Sequence, residues 1–85
     1  MSENEILCAL AEIIAEISGT DHNKVVRDAS FTEDLGIDSI EKAEIVFALE
    51  DKFHIEIPDA DAKELLTVSD AISYICKHLP QDLVQ

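Results

Sequence analysis

The chain has 85 residues, nineteen of them acidic and six basic, for a formal charge of −13, and 47% are hydrophobic. Such a length fits a single domain over residues 1–85 that buries only about 60% of its unfolded surface, too little to enclose an ordinary enzyme cleft. The charge excludes nucleic acid and anionic membrane surfaces as natural partners and favours basic patches, while the apolar content excludes an acidic disordered tail.

Apolar residues at Ile6, Leu7, Leu10, Ile13, Ile14 and Ile17 repeat with the i, i+3, i+4 spacing of a helix with one buried face. Ser2 and Glu5 form a capping box that opens this helix, and Gly19 closes it. Cys8 falls opposite the apolar stripe, which predicts an exposed thiol, and its distance in sequence from Cys76 suits two free thiols better than a disulfide. From Thr20 to Asp38 the periodicity lapses into a long connection that Val25, Val26, Phe31, Leu35 and Ile37 are available to pin to the core. Within it Ser30 and Glu33 suit a single capped turn.

A second helix is expected over Ile40–Phe53, with Asp38 or Ser39 as N-cap and Asp38 with Glu41 at capping-box spacing. The alternating stretch His54-Ile55-Glu56-Ile57-Pro58 has no second strand to pair with and reads as an extended linker whose isoleucines plug the core. Asp59–Leu66 suits one or two helical turns with Asp59 as N-cap. Thr67 and Asp70 form another capping box, opening a last helix whose Val68, Ile72, Ile75 and Leu79 face inward and which Pro80 ends. The expected fold is all-α, a small four-helix bundle of three main helices and one short helix with a long first loop.

The N-terminal run Met1-Ser2-Glu3-Asn4-Glu5 lacks the basic residues of a secretory signal, and the longest apolar run, Ile6–Ala11, is far too short to span a bilayer. A cytoplasmic protein without membrane insertion is the expectation. His22, His54 and His78 are scattered, which argues against zinc. Asp59-Ala60-Asp61-Ala62-Lys63-Glu64 lacks the glycine and the final glutamate of a calcium loop, so no metal site is expected. Ser39 has no histidine within fourteen residues to act as a base, which argues against a nucleophilic triad.

On the second helix Ile45, Val46, Leu49 and Phe53 share one face, which defines the core side. Ile40, Ala43 and Phe47 lie on the other side among Glu41, Glu44, Glu50 and Asp51, an apolar stripe rimmed by carboxylates in the manner of a docking surface. The competing reading has Phe47 covering the short helix at Asp59–Leu66. Ser39 stands where the long loop meets the positive end of a helix dipole, a place that suits either a simple cap or a phosphate.

The run Phe31-Thr32-Glu33-Asp34-Leu35-Gly36-Ile37-Asp38-Ser39-Ile40 resembles the phosphopantetheine attachment site of acyl carrier proteins. The resemblance continues in order through Glu44-Ile45-Val46, Ala48-Leu49-Glu50, Phe53, Glu56-Ile57-Pro58-Asp59 and Thr67-Val68. It implies that Ser39 is a passive acceptor of 4′-phosphopantetheine, transferred from coenzyme A by a separate phosphopantetheinyl transferase. It further implies that Asp38 helps hold the transferase's Mg²⁺. Ile40, Glu41, Ala43, Glu44, Phe47, Glu50 and Asp51 would match docking positions for acyl-chain biosynthetic enzymes and acyltransferases with basic patches. The chain would then be a monomeric carrier in fatty acid, polyketide or lipid synthesis, and not itself an enzyme. Lys42, Ala43, Phe47, Ala60 and Lys63 depart from the residues usual in the family, and the single Gly36 favours acyl over aminoacyl cargo. An aminoacyl or peptidyl carrier, an unmodified acidic interaction module and a divalent-cation buffer are the alternatives.

Overall fold

The computed structural model describes residues 2–79. Helix α1 spans Glu3–Ser18, α2 Ser39–Phe53, α3 Asp59–Ala62 and α4 Val68–His78, with a 3-10 turn at His22–Lys24. The described residues contain no strand, only an isolated bridge between Ser30 and Thr67. The all-α bundle with one short helix is therefore the fold observed.

Each long helix begins as its sequence requires. The side chains of Ser2, Asp38 and Thr67 accept hydrogen bonds from the amides of Glu5, Glu41 and Asp70, and in each case the third residue reaches back to the cap amide. Gly19 takes the left-handed conformation (φ 75°) that ends α1, and its amide bonds to the Ala15 carbonyl. At the end of α2 the same conformation falls on His54 (φ 56°). The core combines Ile6, Leu10 and Ile14 of α1, Ile45, Leu49 and Phe53 of α2, and Val68, Ile72 and Ile75 of α4, all almost fully buried. Burying each of these large side chains contributes about 1.5–3 kcal/mol, which lets so short a chain hold a fold despite its charge.

The long connection is pinned as expected by Val25, Phe31, Leu35 and Ile37, and Ala29 joins them. Val26 does not: it is 48% exposed. The chain folds into the 3-10 turn just ahead of it, which turns Val25 inward and leaves its neighbour facing water. The start of α4 holds the connection by backbone hydrogen bonds, Phe31 N–H to the Leu66 carbonyl (3.0 Å), Val68 N–H to that of Ala29 (3.0 Å) and Ser69 N–H to that of Arg27 (2.7 Å). The Ser30 hydroxyl caps the following turn by accepting from the Glu33 amide at 3.2 Å.

Ile55 and Ile57 plug the core from the extended linker. The short helix departs from expectation at its start. Pro58, not Asp59, is the N-cap of α3, and Asp59 is its first helical residue with no side-chain cap bond. Pro58 has a helical φ of −60° but an extended ψ of 155°, so the helix begins one residue after it. The termination of α4 at Pro80 lies outside the described residues. Cys8 is exposed and both thiols are free.

Candidate functional site

The site is organised by the first two turns of α2. The Asp38 carboxylate accepts from the Glu41 amide at 2.8 Å, and Glu41 returns the bond to the Asp38 amide at 3.3 Å. Asp38 is therefore the cap, which leaves Ser39 as the first helical residue. Ser39 is exposed, and its hydroxyl has no hydrogen-bond partner among the described residues. A serine spared from capping, standing at the positive end of a fifteen-residue helix, offers an accessible oxygen where added phosphate is electrostatically favoured.

Beside it, α2, the linker and α3 bound a groove of about 660 Å³, reaching from Ser39 and Thr32 past Ala43, Val46 and Phe47 to Ile57, Ala62 and Lys63. Its floor is apolar and its rim carries Asp38, Lys42, Glu50 and Asp59. An apolar channel with a few polar groups at its mouth suits a small, mostly apolar chain.

The outer face of α2 carries the expected stripe. Ile40 is 71% exposed and Phe47 72%, and Ala43, Glu44 and Asp51 are exposed along the same side of the helix. Phe47 borders the groove without being covered by α3, so the reading in which it is buried against the short helix fails. Two candidates on the rim have internal work. Glu41 is half-buried and completes the capping box, and Glu50 accepts from the Ile57 amide at 2.8 Å, which ties the linker to α2. Val46, expected on the core face, is half-buried, packs against the core and also lines the groove.

Two residues that periodicity did not single out complete the surroundings. The Tyr74 hydroxyl reaches from α4 to the Asp61 carboxylate (2.8 Å) and the Glu56 carbonyl (3.2 Å), holding α3 in place as the far wall. Burial, the bond to Asp61 and the charges of Asp61 and Glu50 push its phenol up to about 12. Lys42 places its ammonium 5.9 Å from the Phe31 ring centre, and burial pulls that ammonium below the usual lysine value. Among the described residues no group of three or more histidines, cysteines or carboxylates could hold a metal ion, and no helix is long and apolar enough to cross a membrane.

Residues 8–75 match the family described as "Phosphopantetheine attachment site". The chain is 53% identical over 76 residues to the acyl carrier protein of Thermobifida fusca, covering 89% of this chain and 96% of that one. It is 51% identical to the acyl carrier protein of Kineococcus radiotolerans, over 87% of this chain and 91% of that one. The chain belongs to the acyl carrier protein family. A more distant acyl carrier protein, from Cyanidioschyzon merolae, is 40% identical over 92% of this chain and 86% of its own length. As a family member the chain is a carrier and not an enzyme, holding acyl groups on a covalent 4′-phosphopantetheine. Its partners as a family are phosphopantetheinyl transferases and biosynthetic enzymes.

Proposed function

We propose that Ser39 is the attachment point of the 4′-phosphopantetheine arm and that the Ile40–Ala43–Phe47 stripe, rimmed by Glu44 and Asp51, docks the enzymes that load and use it. The observation that carries this reading is the exposed Ser39 hydroxyl, spared from capping by Asp38 and opening directly onto the groove between α2 and α3. The residues fit the group: an accessible oxygen for the phosphodiester, then apolar walls at Val46, Ile57 and Ala62 for a thioester-bound chain.

In the attachment step Ser39 Oγ bonds to the phosphorus that bears the pantetheine of coenzyme A. The pyrophosphate bond breaks, 3′,5′-ADP leaves, and the serine proton passes to the transferase. Asp38 holds the turn through one carboxylate oxygen, and the other is available to the transferase's Mg²⁺. When bound, the arm supplies a terminal thiol that keeps an acyl group activated as a thioester. Exposed Glu44 and Asp51 steer basic partner surfaces toward the stripe, a contribution to association rate that salt weakens.

The pathway is fatty acid, polyketide or related lipid synthesis in the cytoplasm, and the carrier acts as a monomer. Incubation with coenzyme A, Mg²⁺ and a promiscuous phosphopantetheinyl transferase tests the reading. The intact mass should rise by one phosphopantetheine per chain. An unchanged mass would favour an unmodified interaction module using the same stripe.

A further inference from the structure

Lys42 is set apart from the other basic residues of this acidic chain. The other four lysines are exposed, whereas Lys42 is half-buried on the wall of the groove that Ser39 opens onto. It follows Ser39 by three residues on α2, a spacing that makes two side chains neighbours on one helix face.

Its surroundings leave the ammonium without an anion. No carboxylate of the described residues lies within 4.0 Å of it, although the chain has nineteen. Of the carboxylates that line the same groove, Asp38 has one oxygen on the Glu41 amide and Glu50 one on the Ile57 amide, and neither forms an ion pair with Lys42. Asp59 stands at the start of α3, across the groove. The ammonium instead faces the Phe31 ring, and Lys63 adds a second cation on the far wall. Partial burial of an unpaired ammonium carries a cost in solvation that a nearby anion offsets.

We propose that Lys42 is a positioning residue that pairs with the phosphodiester on Ser39 and lays the arm along the α2–α3 groove. The proposal rests on the Ser39 assignment, and it names what that assignment leaves open, namely how the arm is oriented. The same ammonium chemistry would accept the free carboxylate of a dicarboxylic acyl group. The phosphodiester is the better match because it is fixed one helical turn from Lys42, whatever the cargo.

Wild type, Lys42→Met and Lys42→Arg are loaded with the transferase from coenzyme A and, in parallel, from malonyl-coenzyme A carrying a carbon-13 carboxylate. Intact mass and fragmentation first establish that each chain is loaded, and loaded at Ser39, so failure of the Ser39 assignment shows separately. Phosphorus-31 relaxation then reads how firmly the phosphodiester is held. In wild type and Lys42→Arg the phosphorus should tumble with the protein. In Lys42→Met its local motion should be several-fold faster, and high salt should move wild type toward that behaviour. Identical phosphorus relaxation in all three chains would overturn the proposal. So would a result in which Lys42→Met frees only the malonyl carboxylate, since that would assign the ammonium to cargo instead of phosphate.

Discussion

Asp38 serves α2 through one carboxylate oxygen, bonded to the Glu41 amide at 2.8 Å, and a pair of substitutions separates that structural role from its charge. Asp38→Ala should lower stability by about 0.5–2 kcal/mol, the usual cost of a lost N-cap, and slow loading of the arm. Asp38→Asn keeps a capping oxygen, so it should melt near wild type yet load slowly for want of charge. Wild-type loading by Asp38→Asn would remove Asp38 from the metal's surroundings. Phe47 offers a second contrast. At 72% exposure, Phe47→Ala should change stability by no more than about 0.5 kcal/mol while weakening acyl transfer with partner enzymes. A loss of about 3–5 kcal/mol in a thermal melt would instead mark it as a packing residue. The outward direction of Phe47 was legible in the sequence because Ile45, Leu49 and Phe53 occupy the opposite side of α2. The inward bond of Glu50 was not, because its partner is an amide seven residues later in a linker without periodicity.

Among the elements, the three long helices were readable to within a residue, because each carries its own start signal in a capping box. The short ones were less so. A four-residue helix has no room for an apolar repeat, and the 3-10 turn at His22–Lys24 buries nothing of its own. What holds α3 comes from elsewhere in the chain, through the Tyr74 hydroxyl on Asp61 and the Glu56 carbonyl. Tyr74→Phe should therefore loosen α3, seen as faster amide hydrogen exchange at Ala62 and Lys63, with α1 unaffected. It should also change the alkaline limb of stability. The phenol lies at about 12 in the fold against an ordinary 10.0, so its contribution is complete below pH 10 and is lost as pH rises from there toward 12. Tyr74→Phe should melt with less dependence on pH across that window. Parallel curves for the two proteins would mean that the hydroxyl does not couple α4 to α3.

For the molecule as a whole, charge and core act against each other. A formal −13 repels itself across a domain held by a thin core, so melting temperature should rise with ionic strength at neutral pH. Since no metal-ligating cluster occurs among the described residues, sodium chloride should reproduce most of the rise given by Mg²⁺. A gain that saturates near one Mg²⁺ per chain would contradict this and reveal a discrete site. The carrier architecture was legible at this scale because the serine motif, the capping boxes and the linker isoleucines keep their order and spacing across the chain. The groove was not, because Ser39 and Lys63 meet across it only after folding. The central claim is that one oxygen among six serines, that of Ser39, accepts the arm. The most direct test is fragmentation mass spectrometry of the loaded chain, with Ser39→Ala treated alongside. The account predicts the added mass on the peptide containing Ser39 in wild type, and a folded Ser39→Ala chain that gains none. Added mass on any other residue, or on Ser39→Ala at the wild-type rate, would contradict it.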